Sequence, residues 1–454
     1  MSDGRGGRGR PSPVPSHRLA RLAGLGALTA GIATRTMLEG ARRLSRGELP
    51  KPSDLLLTPA NILRVSDELS RMRGAALKLG KLLSMDAGDF LPEELAGLLE
   101  RLRADADFMP PRQLNSVLVS NWGPDWRKRF SRFETRPLAA ASIGQVHRAT
   151  ALDGRDLAIK VQYPGVARSI DSDIANVISL FRLSGFAPPA PVLARLGAEA
   201  RKQLHEEADY LREADNIRRY SKQLRGTEGF IVPVVQDDLS TDSILAMSFV
   251  PGLPIEVAAG QSQEIRNSIL EKLMRLALDE LFAFGFVQTD PNFANFSYDP
   301  DGGTIGLLDF GAAKQVPSDM VGLLRQLLAA GLEGNQRRLR DLSVRLGLYD
   351  EQTSPHHRRL IDQIINMVFE AVRARPEFDF ANDQLLQRLR AMGTDLALDQ
   401  GFDQIPPVDV LYLQRKAAGL YLLGRRLRAR VQLRDLLEQY VHETGHPAMK
   451  DNGH

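Results

Sequence analysis

Apolar residues change their spacing twice along the chain. Across residues 54–100 they recur at helical intervals. TPANILRVSDELSRMRGAALKLGKLLSM offers Thr58 as a cap with Pro59 in the first helical position, and DFLPEELAGLLERLR opens a further helix after Pro92. The helical pattern continues to about Arg132. The period then shortens. In ASIGQVHRATALDGRDLAIKVQYPGV the runs GQVHRA and DLAIKVQ read as strands joined through Asp153-Gly154, a hairpin signal. ARLGAEARKQLHEEADYLREADNIRRYSKQL follows as one long helix, then GFIVPVVQDD and DSILAMSFVPG as two more strands. Residues 263–284 return to helical spacing. A polar loop, DPNFANF, a hairpin across Pro300-Asp301-Gly302-Gly303, and the run LLDFG come next. From about Pro317 to Tyr440 the pattern is mostly helical, with breaks near Pro355, Pro376 and Pro406-Pro407. No internal repeat is visible.

This order predicts an α+β, two-lobed plan: a basic N-terminus over residues 1–48, a helical extension over 49–132, a strand-rich lobe over 133–250 and a helix-rich C-terminal lobe over 251–454. At 454 residues the chain is long enough for two lobes, and its 43% hydrophobic and 25% charged residues are globular in proportion. Charge narrows the partners. With 59 basic and 56 acidic side chains the net charge is only +3, which gives no general footprint for nucleic acid. The absence of cysteine excludes disulfides, thiolate metal sites and cysteine nucleophiles. The N-terminus departs from this balance. MSDGRGGRGRPSPVPSHR has a disordered composition, and Asp3 is the one acidic residue up to Leu38. Residues 22–34 form an apolar run of 13, shorter than the ~20 a spanning helix needs. The run reads as a packed Ala/Gly-rich helix, as a membrane-surface or weakly inserting segment, or as a targeting sequence.

The two polar loops carry candidate chemistry. Asp290 is followed five positions later by Asn295, and Asp309 stands at the head of Asp-Phe-Gly. Taken singly, each is also an ordinary polar turn. In a kinase-type lobe the first Asp orients the attacking group, while the Asn and the second Asp bind divalent metal. Such a site also needs a strand lysine for the α- and β-phosphates and a helix carboxylate to orient it. Lys160 ends DLAIK, emerging from a buried apolar run. On the predicted long helix, Ala200, Leu204, Leu211 and Ala214 form a stripe that includes Glu207, whereas Glu206 falls about 100° away, toward solvent. Glu207 is therefore the expected partner of Lys160. Where a kinase has a Gly-rich phosphate loop this chain has Ala139, Ala140, Ala141 and Ser142, small enough for backbone N–H groups to approach phosphate.

With AAASIGQVHRA, IKVQYPGV, EEADYLREA, QTDPNFANF and LLDFGAAK in this order, the chain resembles the UbiB family of atypical protein-kinase-like ATPases that support ubiquinone biosynthesis, over residues from about Leu56 to Tyr440. The resemblance implies a two-lobed protein-kinase-like fold with a helical N-terminal extension packed over the active site. It implies ATP with Mg²⁺, or Mn²⁺, as cofactors, and adenine contacts at Met247, Ser248, Phe249 and Val250. The family's E-x-D pattern falls on Glu207 and Asp209. Its K-x-G-Q signature falls on ALKLGKLLSM, where Lys78 and Gly80 match and Lys81 replaces the Gln. Lys81 either reaches phosphates or acidic residues such as Asp209, or faces solvent. The implied partners are membrane lipids, quinone precursors and ubiquinone-biosynthesis proteins, with a homo-oligomer left open. The implied location is peripheral or weakly anchored on a membrane, in the cytoplasm or on the matrix face of a mitochondrion. A protein or small-molecule phosphotransferase and a non-catalytic nucleotide-binding lipid scaffold are the competing readings. No A-P-E-like segment follows Asp-Phe-Gly to support the former.

Overall fold

Strands and helices alternate first and helices take over later, as the change of period predicts. The computed structural model describes residues 108–141, 143–184, 190–398 and 406–442. The chain divides into two units: the first reaches Ala214 and includes residues 235–249, and the second takes residues 215–234 and everything from Val250.

In the first unit, helix α1 (Pro111–Trp122) starts on a proline at its first turn and stops at Gly123, whose φ of 84° ends the helix. Leu114, Leu118 and Trp122, four apart, bury one face of it. The chain then forms β1 (Phe130–Phe133), β2 (Ala139–Ala140), β3 (Gly144–Ala151) and β4 (Asp156–Gln162). The β3–β4 hairpin turns at Gly154, φ 87°, where the Asp-Gly signal placed it. Two helices follow, α2 (Val166–Ser184) and α3 (Ala190–Ala208), and then α4 (Tyr210–Gln223). After an excursion into the second unit, where it makes β5 (Phe230–Ile231), the chain returns as β6 (Ile244–Ser248). The sheet runs β1-β3-β4-β6, with β2 on β3. Along β4, Leu157, Ile159 and Val161 join α1, Trp126, Phe130 and Ala246 in one core. The alternation turns Ala158, Lys160 and Gln162 to the other face. That core runs across the expected boundary at 132/133, because the apolar stripe of α1 packs against β4.

Two expectations about helices need correction. Helix α2 was not anticipated, although Ile170, Ile174 and Val177 show its spacing and are all buried. The predicted long helix is two helices, since Asp209 is not helical and separates α3 from α4.

The second unit is built around α5 (Gln263–Phe282), which follows β7 (Leu253–Pro254) and is capped by the Ser262 side chain. Strands β8 (Phe286–Gln288), β9 (Phe296–Asp299), β10 (Thr304–Leu307) and β11 (Ala313–Gln315) come next. One sheet is ordered β5-β10-β9-β7, and β8 pairs with β11 separately. That second pairing sets Gln288 opposite Ala313 and so holds the two polar loops side by side. Helices α6 (Ser318–Glu333), α7 (Gln336–Arg345), α8 (Pro355–Arg373), α9 (Leu385–Leu398), α10 (Val408–Leu427) and α11 (Leu433–His442) complete the unit. Ser354 caps α8 with Pro355 in its first turn, where the break was expected. Among the described residues no helix is long and apolar enough to cross a membrane; residues 22–34 lie outside them.

Candidate functional site

Strand β4 sits between β3 and β6, and this pairing sets Lys160 opposite Val146 and Leu245. The Lys160 ammonium donates to both carboxylate oxygens of Glu213 at 2.8 Å. The two side chains are 9% and 1% exposed, so this is a buried ion pair, and the Tyr210 ring lies 5.3 Å from the ammonium. Glu213 takes the place on Lys160 that was expected of Glu207. The reason is the break at Asp209. The Asp209 carboxylate accepts the N–H of Arg212 at 2.9 Å, which is N-capping geometry for α4. Where α3 ends, the Ala208 carbonyl accepts the Gln162 amide at 2.6 Å. The helical count restarts there. Leu211, expected on the apolar stripe, is 49% exposed, while Tyr210, Glu213, Ala214 and Ile217 form the buried face. Glu207 is half-buried near the end of α3.

Of the expected phosphate loop, Ala139 and Ala140 form the exposed strand β2, and the Ala141 N–H donates to the Gly144 carbonyl at 2.8 Å, closing a tight turn. Gly144 is required: a Cβ there would lie 2.5 Å from the Val161 carbonyl oxygen. Ser142 lies outside the described residues, as do Lys78, Gly80 and Lys81. Met247 and Ser248 end β6, Phe249 donates its N–H to the Asp156 carbonyl at 2.8 Å and stacks under Arg148, and Val250 is buried at the start of the second unit.

In the second unit, the expected residues Asp290, Asn295 and Asp309 fall into one hydrogen-bonded pair of loops. The Asn295 amide donates to the Asp290 carbonyl at 3.2 Å, and the Leu308 N–H to the Asn295 carbonyl at 2.9 Å. Gln288 ties the loops together. Its side-chain oxygen accepts the Asp290 N–H at 2.8 Å, and its side-chain amide donates to the Asp309 carbonyl at 3.2 Å. The Thr289 hydroxyl donates to the Ala312 carbonyl and Asn216 to the Phe310 carbonyl. The Asp309 carboxylate accepts the Gly311 N–H at 3.0 Å.

Sequence reasoning missed Gln288, Thr289 and Asn216. The first two were visible in QTDPNFANF, as polar residues at the end of an apolar strand.

Below these loops lies a second buried ion pair. Lys416, on α10, donates to Glu280, on α5, and to the Gln288 carbonyl at 3.0 Å. The Tyr220 hydroxyl donates to the other Glu280 oxygen at 3.1 Å. Burial pushes the Glu280 carboxyl up, against the opposing pull of Lys416 and Tyr220, and raises the Tyr220 phenol well above its ordinary value. In the first unit, burial holds the His147 imidazole down at about 4. Its Nδ1 lies 2.8 Å from the Glu134 carbonyl, which can only accept, so Nδ1 carries the proton and Nε2 accepts from Gln145.

Among the described residues no group of three or more His, Cys, Asp or Glu is arranged to hold a metal. Asn295 and Asp309 instead offer amide and carboxylate oxygens, hard donors that suit Mg²⁺ completed by phosphates and water.

A family model described as the ABC1 atypical kinase-like domain matches residues 101–343. The mitochondrial atypical kinase COQ8 of Saccharomyces cerevisiae is 36% identical over 436 residues, covering 95% of this chain and 86% of that protein. The mitochondrial atypical kinase COQ8B of Rattus norvegicus is 35% identical over 441 residues, covering 96% and 82%. Among solved structures, Rv3197 of Mycobacterium tuberculosis, in complex with erythromycin, matches with a TM-score of 0.56 and 27% identity, covering 87% of this chain and 98% of that one.

Proposed function

The chain belongs to the ABC1 atypical kinase-like family, the UbiB family its motifs anticipated, and we propose that this enzyme binds and hydrolyses Mg-ATP in support of ubiquinone biosynthesis. The observation that carries the reading is the buried two-pronged pair of Lys160 and Glu213. A lysine so oriented on a strand is the group that holds α- and β-phosphates in kinase-type sites. In this reading the small residues at positions 139–142 let phosphate come close to the backbone, and residues 247–250 contact adenine. Asp290 orients the attacking water, its backbone held by Gln288 and Asn295. Asn295 and Asp309 hold Mg²⁺, which when bound neutralises phosphate charge.

Asp309→Asn is expected to weaken ATP binding far more with Mg²⁺ than with EDTA, measured by equilibrium titration. Equal weakening in both removes Asp309 from the metal site.

The substrates on this reading are membrane-embedded quinone precursors, reached by a chain held peripherally at an anionic membrane. Its first 38 residues are basic, and each such charge near an anionic surface contributes roughly 1 kcal/mol. The test is quinone content in yeast lacking its own COQ8. The full chain should restore it and a chain lacking residues 1–48 should restore less. No restoration by the full chain counts against the pathway, and equal restoration counts against the anchor.

A further inference from the structure

We propose that Lys416 is a positioning residue for this reaction, holding the strand end that carries Asp290 through the Gln288 carbonyl. The inference rests on the Mg-ATP reading above. Lys416 lies on α10, beyond residues 101–343 matched by the family model. A buried Lys–Glu pair is weak evidence for stability, since desolvation offsets much of the attraction. This one has an additional contact that charge neutralisation does not require. An ammonium has three donors, and Lys416 spends one on Glu280 and another on the Gln288 carbonyl at 3.0 Å. Glu280 in turn is held by the Tyr220 hydroxyl, so the lysine has a fixed base on α5 and α4.

Gln288 passes the constraint on. Its side chain holds the Asp290 N–H and the Asp309 carbonyl together. Moving its backbone moves both. One helical turn further on, Gly419 brings α10 directly against the same loop. A Cβ at that position would fall 2.1 Å from the Pro291 Cβ. Helix α10 therefore meets the Asp290 loop at two successive positions, one polar and one steric. A displacement of about 1 Å in a reacting group costs on the order of 100-fold in rate.

The experiment measures Mg-ATP turnover and thermal unfolding on the full chain, for wild type, Lys416→Met, Glu280→Gln, and the Lys416→Met/Glu280→Gln double variant. The expected result for Lys416→Met is a kcat lower by roughly 30- to 100-fold, with KM for ATP within about threefold of wild type. The double variant leaves no charge unpaired. It should regain most of the lost thermal stability while kcat stays low, because the Gln288 carbonyl still lacks its donor. It also keeps the test decisive if Lys416→Met does not fold. A double variant that regains kcat together with stability makes Lys416 a counter-charge only and overturns the proposal. Undiminished kcat in either Lys416 variant does the same. Wild-type protein without Mg-ATP turnover sinks the functional reading and this inference with it, whereas wild-type turnover alongside a fully active double variant sinks this inference alone.

Discussion

Both units bury a lysine against a glutamate, and the two pairs are wired differently. Lys160 comes from a strand and meets both oxygens of Glu213, side chains 9% and 1% exposed. Lys416 comes from a helix and meets one oxygen of Glu280, side chains 12% and 2% exposed. Its remaining capacity reaches a backbone carbonyl, and the second Glu280 oxygen goes to Tyr220. Burial and charge are nearly the same in the two. In the first pair the carboxylate fixes the direction of an ammonium that, on the function proposed above, meets phosphate. In the second, each partner is also bound to a third group, so the pair acts as a strut in the framework. On the proposed function the same ionic chemistry serves a ligand in one place and a loop in the other, and the Gln288 carbonyl and the Tyr220 hydroxyl are what mark the second pair.

The largest expected effect tests the first half of that contrast. Lys160→Met should lower kcat/KM for ATP by at least ~100-fold, or about 2.7 kcal/mol of transition-state stabilisation. It should also destabilise the fold by about 3 kcal/mol, because Glu213 is left buried without its counter-charge. Adding Glu213→Leu should recover stability and leave turnover low. Thermal unfolding across this cycle should be strongly non-additive. An additive cycle breaks the comparison, since the two groups would then not be a unit.

A buried base handled without a counter-ion sharpens the contrast. His147 lies inside the first unit's core, stacked on Phe133 and held neutral, with its pKa lowered from 6.5 to about 4. Between those values the unfolded chain binds a proton that the folded chain refuses. Stability therefore falls as pH drops through this window, and the effect fades as pH rises above 6.5. At pH 5 the loss is on the order of 2 kcal/mol relative to pH 7. Urea denaturation at the two pH values should show this in wild type and a flatter profile in His147→Gln. Equal slopes would mean that His147 is not the group responsible.

Much of the fold could be read from spacing. The β3–β4 hairpin, α1, α5 and the Ser354-Pro355 helix start each carry a local signal that tertiary packing did not need to override. The order DLAIK, DPNFANF, LLDFG likewise pointed to Lys160, Asp290, Asn295 and Asp309, since these motifs are short and contiguous. Glu213 was lost because a periodicity argument assumes an unbroken helix. One residue out of helical conformation rotates every later position, and Leu211 moved from the apolar stripe to the surface. Lys416 was out of reach for a different reason. It meets Gln288 from 128 residues away, and no local pattern marks a buried lysine on a helix rich in basic residues.

The smallest expected effect concerns the residue that causes the break. Asp209 is exposed, and its carboxylate caps α4 through the Arg212 N–H. The sequence instead offers its carboxylate as a charge for Lys81 of the helical extension to reach. The two roles make different demands. A cap needs a short side chain with an acceptor oxygen, which Asn supplies as well as Asp. A charge role needs the carboxylate itself. Asp209→Ala should cost about 1 kcal/mol of stability, and by loosening the first turn of α4 it should let Glu213 drift from Lys160 and lower turnover a few-fold. Asp209→Asn should leave both close to wild type. Thermal unfolding and Mg-ATP turnover of the two variants separate the roles: if Asn is as damaging as Ala, the charge at Asp209 matters beyond its cap, and the orientation of Glu213 needs another cause.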